Sequence, residues 1–236
     1  MDVLAIIPAR KGSKTIKNKN IRLINGKPLF AFSIEQALNS KFISRTIVST
    51  DSPKYAKLAE QYGAEVPFLR PDEISGDYST DLEVFQHALL WLRENENYVP
   101  EICVHLRPTH PIRSVVDIDN MIQILINNSK IDAVRSVVPV LHTPYKMWFR
   151  NDDGLINPIL KCEVAEAYNA PRQSLPDVYL QNANIDVVRT DVILHKNSMT
   201  GDTIYGYVMD RIFDIDTMDD LYEARRYYKS RGKINE

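Results

Sequence analysis

The sequence predicts an α/β fold in which a mostly parallel sheet is flanked by helices. Two observations indicate this fold. First, short apolar runs alternate with amphipathic stretches over residues 3–140, which is typical of β-α units on a parallel sheet. Second, the apolar run Val3–Ile7 passes directly into a basic loop, and open α/β sheets hold their ligands just beyond the carboxyl ends of their strands.

Strands are predicted where short apolar runs lie between turn residues. These segments are, in chain order, residues 3–7, 46–49, 101–107, 133–140 and 205–209. The segment at 101–107 is the most apolar, and we therefore expect it at the centre of the sheet, buried on both faces.

Helices are predicted where apolar residues recur at helical spacing after a capping residue. These segments are residues 28–38, 53–62, 79–96, 114–127 and 217–230. The first begins at Pro28, a residue that the first turn of a helix tolerates. Asp51 or Ser52 can cap the second helix, Gly63 can end it, and Ser114 can cap the fourth.

Residues 142–194 interrupt this alternation. Prolines and short polar runs break up the periodicity there, at Pro144, Pro158, Pro171 and Pro176. We therefore predict an irregular, β-rich insertion that covers the site or pairs with a second subunit. The sequence contains no repeat, low-complexity tract or long linker, so residues 1–236 are predicted to form one domain that carries the insertion at 142–194.

The overall composition excludes several classes of protein. Lys and Arg number 29 against 31 Asp and Glu, and the formal net charge of −2 argues against a general nucleic-acid-binding protein. No apolar run approaches the roughly 18–20 residues that cross a bilayer, and the first residues lack the apolar core of a signal peptide. Cys103 and Cys162 lack metal-ligand spacing and are predicted to be reduced thiols. We therefore expect a cytoplasmic protein that binds neither nucleic acid nor membranes.

The loop after the first strand concentrates positive charge. Its cations are Arg10, Lys11, Lys14, Lys17 and Lys19. Charges this dense repel one another unless they splay into water or an anion joins them. The loop contains neither a Walker A motif nor a dinucleotide fingerprint, which would require more glycines than Gly12 alone. The charge density favours an anion site, with a nucleoside triphosphate as its ligand, over solvated surface lysines.

Two carboxylates near the end of the chain can hold a metal ion. Asp214 and Asp216 flank Ile215, and alternate residues of an extended segment point to the same side. Mg²⁺ prefers one or two carboxylates together with substrate oxygens and water. A helix cap at Asp216 is the alternative. The basic loop favours Mg²⁺ as a cofactor, because phosphate-handling enzymes usually need a divalent cation.

Several arginines lie beside prolines in predicted loops. Arg107 and Arg113 bracket a segment with two prolines, and Arg70 and Arg172 also adjoin proline. Guanidinium groups held rigidly in this way suit phosphate or carboxylate recognition. His110, between the first two arginines, is either a general base or, more simply, part of the polar surface.

Six strings along the chain resemble the acylneuraminate cytidylyltransferases, or CMP-sialic acid synthetases. In family order they are I-I-P-A-R-K-G-S-K with K-N-K-N at 6–20, V-S-T-D at 48–51, L-R-P-D-E-I at 69–74, P-T-H-P-I-R at 108–113, P-R-Q-S-L-P at 171–176 and D-I-D-T at 214–217. The resemblance implies a Rossmann-like sheet and a homodimer in which the small insertion swaps into the partner. It also implies transfer of CMP from CTP to the anomeric hydroxyl of a nine-carbon acidic sugar, with release of pyrophosphate.

The same resemblance implies roles for individual residues. By position, the triphosphate site comprises Arg10, Lys19 and Asn20, with Gly12, Ser13 and Lys14 in the same loop, and the base site comprises Arg70, Ser79 and Asp81. The Mg²⁺ site comprises Asp214 and Asp216. The sugar site comprises Arg107, Lys146, Arg172, Gln173 and Asn182. The predicted catalytic residues among these are Arg10, Lys19, Asp214 and Asp216.

Three positions depart from the family pattern. Arg107 stands where the family usually has glutamine, Asp186 lies in a segment that usually reads N-G-A-I-Y, and Asp81 replaces a small hydroxyl residue. An additional arginine near the acceptor suits a phosphate, so a sugar-1-phosphate nucleotidyltransferase that uses CTP or GTP is an alternative. A catalytically silent nucleotide-binding protein without an acceptor site is the other.

Overall fold

The computed structural model describes residues 1–210 and 213–232, so the last residues of the predicted domain 1–236 lie outside it. The strands are β1 (Val3–Pro8), β2 (Leu23–Ile24), β3 (Lys27–Pro28), β4 (Arg45–Ser49), β5 (Ile102–Leu106), β6 (Ala133–Pro139), β7 (Trp148–Arg150), β8 (Ile156–Pro158), β9 (Tyr179–Arg189) and β10 (Ile204–Val208). The helices are α1 (Leu29–Leu38), α2 (Pro53–Gln61), α3 (Asp81–Glu96), α4 (Val115–Asn127), α5 (Thr190–Leu194) and α6 (Met218–Gly232).

Six strands form the main sheet in the order β10-β6-β9-β5-β1-β4. β1 pairs in parallel with β4 and β5, and β10 pairs in parallel with β6. β9 runs antiparallel to both of its neighbours, β5 and β6. The predicted mostly parallel sheet is therefore confirmed, and β5 lies in its interior, as its apolar sequence indicated.

Both faces of the sheet are buried, because the side chains of β1 alternate between two cores. Ala5 and Ile7 pack with α1 and α4 on one face, whereas Leu4 and Ile6 pack with α3 and α5 on the other. Burial on both faces explains why this strand is an unbroken apolar run instead of an alternation of apolar and polar residues.

Capping residues set the starts of three helices. Ser52 caps α2, since its hydroxyl accepts from the backbone N–H of Tyr55 at 3.4 Å. Thr80 forms a capping box with Glu83, so α3 begins later than predicted. Ser114 caps α4, as predicted. No helix of the described residues has the length and apolar character needed to cross a membrane.

The region predicted as an insertion at 142–194 differs from the structure in its second part. β9 and α5 occupy residues 179–194, and β9 lies within the main sheet. Ile185, Val187 and Val188 are fully buried there, so these residues belong to the core and not to an insertion. The part outside the main sheet, which we call the outer segment, is residues 142–178, and it contains the antiparallel pair β7–β8.

Candidate functional site

A pocket of about 430 Å³ opens beyond the carboxyl ends of β1 and β5. Its walls come from the basic loop, from residues 70–84 and from the segment at the end of β5. The sequence-predicted site residues that line it are Arg10, Gly12, Ser13, Lys14, Lys19, Asn20, Arg70, Ser79, Asp81 and Arg107. The fold therefore gathers at one sheet edge residues that are widely separated in sequence.

The basic loop is held in shape by contacts with its own backbone. Asn20 is buried, and its Nδ2 donates to the carbonyl of Arg10 at 3.0 Å. Asp51 accepts from the backbone N–H of Lys11 at 2.8 Å and lies 3.3 Å from the Nζ of the same residue. Asp51 therefore anchors this loop, while Ser52 takes the capping role that either residue was predicted to have.

Arg10 and Lys14 share one carboxylate across the pocket. Asp77 Oδ1 lies 2.9 Å from Arg10 Nη1, and Asp77 Oδ2 lies 2.7 Å from Lys14 Nζ. Hydrogen bonds from Lys14 and Arg10 lower the pKa of Asp77, so it stays ionised. Sequence reasoning missed Asp77, because no motif distinguishes it from other exposed acidic residues.

The basic loop and the acidic turn meet at Lys19. Its Nζ donates to Asp216 Oδ1 at 3.0 Å and to the carbonyl of Ile215 at 2.9 Å. The side chain of Lys19 is only 14% exposed, whereas that of Asp216 is 68% exposed, so solvent still screens this ion pair. Cations from the first residues of the chain and carboxylates from near its end therefore converge in space.

A small apolar core holds these two segments together. Ile16 of the basic loop and Ile215 of the acidic turn are buried in one cluster with residues of α1 and α6. The backbone N–H of Ile215 also donates to the carbonyl of Thr109 at 3.0 Å, just beyond β5. Because Ile215 points into this core, the carboxylates on either side of it are left outside the core.

Asp216 does not cap the last helix. The hydroxyl of Thr217 accepts from the backbone N–H of Asp220 at 3.3 Å. In return, the Asp220 carboxylate accepts from the backbone N–H groups of Asp216 at 3.0 Å and Thr217 at 2.7 Å. This reciprocal arrangement provides acceptors for backbone N–H groups at the start of α6. The Asp216 carboxylate is therefore not needed as a cap and can accept from Lys19.

Asp214 presents a buried oxygen that has no hydrogen-bond partner among the described residues. Burial raises the pKa of Asp214, and its Oδ1 lies 3.6 Å from His110 Nε2. The Nδ1–H of His110 donates to the carbonyl of Phe213 at 2.9 Å, since a carbonyl can only accept. Burial and the nearby Arg113 lower the pKa of His110 to about 3, so the ring is neutral and its Nε2 is an acceptor.

Two acceptors facing each other without a donor fit a site for a cation. The carboxylates available there belong to Asp214 and Asp216, a set that matches the preference of Mg²⁺ for one or two carboxylates completed by substrate oxygens and water. Clusters of three or more metal-binding side chains, as a zinc site would need, do not occur in the described part of the chain. His110, fully buried, is not part of the polar surface.

The wall opposite the basic loop offers hydrogen-bonding groups to a ligand. Arg70 is 5% exposed, and its Nη2 donates to the carbonyl of Ser49 at 3.0 Å. Its buried Nε finds no acceptor within the described residues, and burial lowers the pKa of this guanidinium. Ser79 Oγ accepts from the backbone N–H of Gly76 at 2.9 Å, which orders the turn that carries Asp77.

The two arginines around His110 are not presented in the way the sequence predicts. All five N–H groups of Arg113 donate to acceptors inside the protein, so the prediction that it recognises an anion is wrong. Arg107 lines the pocket, but it donates to Asp81 Oδ2 at 2.9 Å and to Asp186 Oδ2 at 2.8 Å. The three residues that depart from the family pattern therefore contact one another.

The other residues predicted for the sugar lie apart from this pocket. Lys146, Arg172 and Gln173 are exposed in the outer segment. Asn182 is buried in β9, where its Oδ1 accepts from the hydroxyl of Ser136 at 2.5 Å. None of these four appears among the residues described as lining the pocket. One chain therefore brings together the residues predicted for the nucleotide but, of those predicted for the acceptor, only Arg107.

Comparison with known proteins gives consistent results. A family model described as cytidylyltransferase matches residues 4–232. The N-acylneuraminate cytidylyltransferase of Escherichia coli is 32% identical over 99% of this chain, which spans 54% of that protein. The CMP-N,N'-diacetyllegionaminic acid synthase of Campylobacter jejuni is 36% identical over 92% of this chain and 90% of its own length.

A solved structure supports the fold. It is that of CMP:2-keto-3-deoxy-manno-octonic acid synthetase complexed with CTP, and it aligns with a TM-score of 0.74 and 16% sequence identity. The alignment covers 98% of this chain and 100% of the chain in the solved structure. At this identity the likeness concerns the arrangement of strands and helices.

Proposed function

Because this chain belongs to the cytidylyltransferase family, we propose that it transfers CMP from CTP to the anomeric hydroxyl of a sialic-acid-like nonulosonic acid and releases pyrophosphate. The names of its relatives, which refer to acylneuraminate and legionaminic acid, support this acceptor class. The observation that carries the proposal is the contact between Lys19 and Asp216, which joins a cationic loop to an acidic pair. We assign the reaction to the cytoplasm, where Cys103 and Cys162 would stay reduced.

We assign the triphosphate to the basic loop. Arg10, Lys14 and Lys19 supply the positive charge, and Gly12 has open space around its α-carbon, so phosphate oxygens can approach the backbone closely. Asp77 now pairs with Arg10 and Lys14. Triphosphate binding would therefore exchange one carboxylate for phosphate oxygens at these cations.

We assign the base to the wall formed by Arg70 and Ser79, with Asp81 at its edge. The unpaired Nε of Arg70 is a buried donor, and a buried donor without an acceptor costs free energy. A base carbonyl oxygen that reaches this donor would satisfy it, whereas a base without a carbonyl at that place would leave it unpaired. This difference supplies selectivity of the kind that buried polar groups give.

We assign Mg²⁺ to Asp214 and Asp216. When bound, the ion would neutralise charge that develops on the leaving pyrophosphate. Two contacts fix the positions of these carboxylates. Ile215 is buried and fixes the turn, and Lys19 donates a hydrogen bond to Asp216.

The remaining catalysis is positioning and electrostatic stabilisation. The sugar hydroxyl attacks the α-phosphorus in line, and the new oxygen–phosphorus bond forms as the bond to the bridging oxygen breaks. Pyrophosphate leaves with that oxygen, and the hydroxyl proton passes to a nearby base, for which the carboxylates of Asp214 and Asp216 are the available groups. Arg10 and Lys19 would hold the leaving phosphates where negative charge accumulates. No covalent nucleophile is needed for this step.

We further propose that a homodimer completes the acceptor site. The outer segment exposes large apolar side chains, among them Phe149 at 64%, Leu155 at 66% and Ile156 at 53%. Several exposed large apolar side chains within one short segment are typical of a protein interface. In such a dimer, the outer segment of one protomer would bring Lys146 and Arg172 to the acceptor side of its partner's pocket.

A screen of nucleotide donors against acceptors tests the reaction. Purified protein with Mg²⁺ is incubated with CTP, GTP or UTP, each combined with nonulosonic acids and with sugar-1-phosphates, and pyrophosphate release is measured. We expect release with CTP and a nonulosonic acid. Release with a sugar-1-phosphate alone would contradict the proposal, and CTP binding without turnover of any acceptor would favour a silent nucleotide-binding protein.

The structure does not favour the sugar-1-phosphate alternative. That alternative requires Arg107 to bind the phosphate of the acceptor. Both sides of the Arg107 guanidinium already donate to carboxylates, those of Asp81 and Asp186. An acceptor phosphate would have to share this guanidinium with those two carboxylates.

A further inference from the structure

A chain of ion pairs, two of whose three residues line the pocket, connects three elements of the fold. Asp81 is the first residue of α3, Arg107 follows β5, and Asp186 lies in β9. Arg107 Nη2 donates to Asp81 Oδ2 at 2.9 Å, while Nη1 donates to Asp186 Oδ2 at 2.8 Å and to the carbonyl of Ala183 at 3.0 Å. One guanidinium thus contacts two carboxylates.

The two carboxylates of this chain of ion pairs differ in what else supports them. Asp186 is 3% exposed and has a second cation, since Arg135 Nε donates to its Oδ1 at 2.7 Å. Asp81 is 43% exposed, and Arg107 is its ion-pair partner, together with a histidine that lies further away, His105 at 3.8 Å. Loss of Arg107 would therefore leave Asp186 paired and Asp81 without a full countercharge.

His105 does not supply that countercharge. It is fully buried, and burial together with Arg107 lowers its pKa well below the ordinary value, so the ring is neutral. Arg107 itself remains ionised: burial alone would lower its pKa, but Asp186 and Asp81 outweigh this effect and raise it. The charge of Asp81 is thus balanced by Arg107.

Asp81 lines the pocket assigned to the nucleotide, at the edge of the wall assigned to the base. A carboxylate without a countercharge at this place would repel a polyanion, because like charges in a partly desolvated pocket repel strongly. Resting on the proposed function, we propose that Arg107 is a positioning residue that neutralises Asp81 and fixes it against the pocket wall, so that the pocket accepts a nucleoside triphosphate. In this role Arg107 does not bind the anionic group of the acceptor.

Three variants test this inference: Arg107→Gln, Asp81→Asn and the two combined. The affinity for CTP is measured by calorimetry, and KM is measured separately for CTP and for the acceptor. We expect Arg107→Gln to weaken CTP binding by about tenfold, the scale of a charge-assisted contact, and to leave KM for the acceptor unchanged. The double variant should recover most of that loss, because it removes the exposed carboxylate. A merely structural role would not give this recovery.

Asp81→Asn alone provides a test that does not depend on the stability of the Arg107 variant. Asp81 is half-exposed and should tolerate the amide, and loss of its charge should tighten CTP binding several-fold. Arg135→Gln is the matched control: it removes the other cation on Asp186, yet Arg135 is not among the described lining residues. We expect it to leave CTP affinity unchanged.

Several results would overturn the inference. Weaker CTP binding by Asp81→Asn, no recovery in the double variant, or a raised KM for the acceptor with unchanged CTP affinity in Arg107→Gln would each contradict it. These outcomes require a wild-type protein that binds CTP. If the wild type does not bind CTP, the proposed function fails first and this inference fails with it.

Discussion

The pocket and the outer segment differ in how completely one chain builds them. At the pocket, the lining residue Lys19 contacts Asp216 at 3.0 Å, so residues from the two ends of the chain meet there, although Asp214 and Asp216 are not among the described lining residues. In the outer segment, Lys146 and Arg172 are exposed and lie away from the pocket. This difference is the basis of our proposal that a single chain supplies the nucleotide half of the reaction and that a second copy completes the acceptor half.

Asp214→Asn tests the pocket with the largest expected effect. The substitution preserves the shape of the side chain but removes a negative charge that would hold Mg²⁺. We expect kcat to fall by about a hundredfold or more, the scale seen when one electrostatic group is removed from an active site, with little change in thermal unfolding. Asp219→Asn is the matched control, because Asp219 is exposed on the first turn of α6. Turnover close to that of the control would contradict the assignment.

Arg10→Ala tests the triphosphate end of the same pocket. We expect CTP binding to weaken by about 1.5–3 kcal/mol, because a charge-assisted contact to phosphate is lost. Calorimetric titration with CTP measures the change. The control is Lys17→Ala, since Lys17 belongs to the basic loop but is not described as lining the pocket. Equal affinities in the two variants would show that Arg10 is an ordinary surface residue.

Phe149→Asp tests the outer segment. A charge in the exposed apolar surface should disrupt self-association and raise KM for the acceptor by about tenfold, as expected for a central interface residue, while the affinity for CTP stays the same. Analytical ultracentrifugation and steady-state kinetics measure the two effects. Val116→Asp is the control, because Val116 is 64% exposed on α4. A wild-type protein that remains a monomer at assay concentration would refute the comparison between the two regions.

Asp77→Asn is expected to have the smallest effect, and in the opposite direction. Since Asp77 competes with the triphosphate for Arg10 and Lys14, its neutralisation should tighten CTP binding by about two- to fivefold, in keeping with the modest strength of exposed ion pairs. The control is Asp72→Asn, an exposed carboxylate that lies 3.8 Å from Lys11 Nζ. Weaker CTP binding by Asp77→Asn would mean that Asp77 supports the nucleotide.

Most of the sheet could be predicted from the sequence, because its strands are short apolar runs and its helices carry clear caps. β9 was missed because it begins with exposed residues and follows a region broken by prolines, so its buried half, around Val187, carried no distinct signal. Its place between β5 and β6 depends on long-range pairing, which local periodicity does not encode.

Local charge patterns in the sequence marked the basic loop and the pair Asp214 and Asp216, and the structure brings these two segments into contact through Lys19 and Asp216. The site was not predictable where function depends on partners distant in sequence. Arg107 and Arg113 look alike in the sequence, yet the first pairs with two carboxylates and the second is satisfied inside the protein. Ile16 and Ile215 read as ordinary apolar residues, although their shared core brings the two halves of the site together.

The most direct test is the dependence of CTP affinity on Mg²⁺, measured by calorimetry for the wild type and for the Asp214→Asn/Asp216→Asn double variant. If the basic loop and the acidic turn together hold a magnesium-bound nucleotide, Mg²⁺ will strengthen CTP binding by the wild type and have little effect on the variant. An equal response to Mg²⁺ in both proteins would contradict the account.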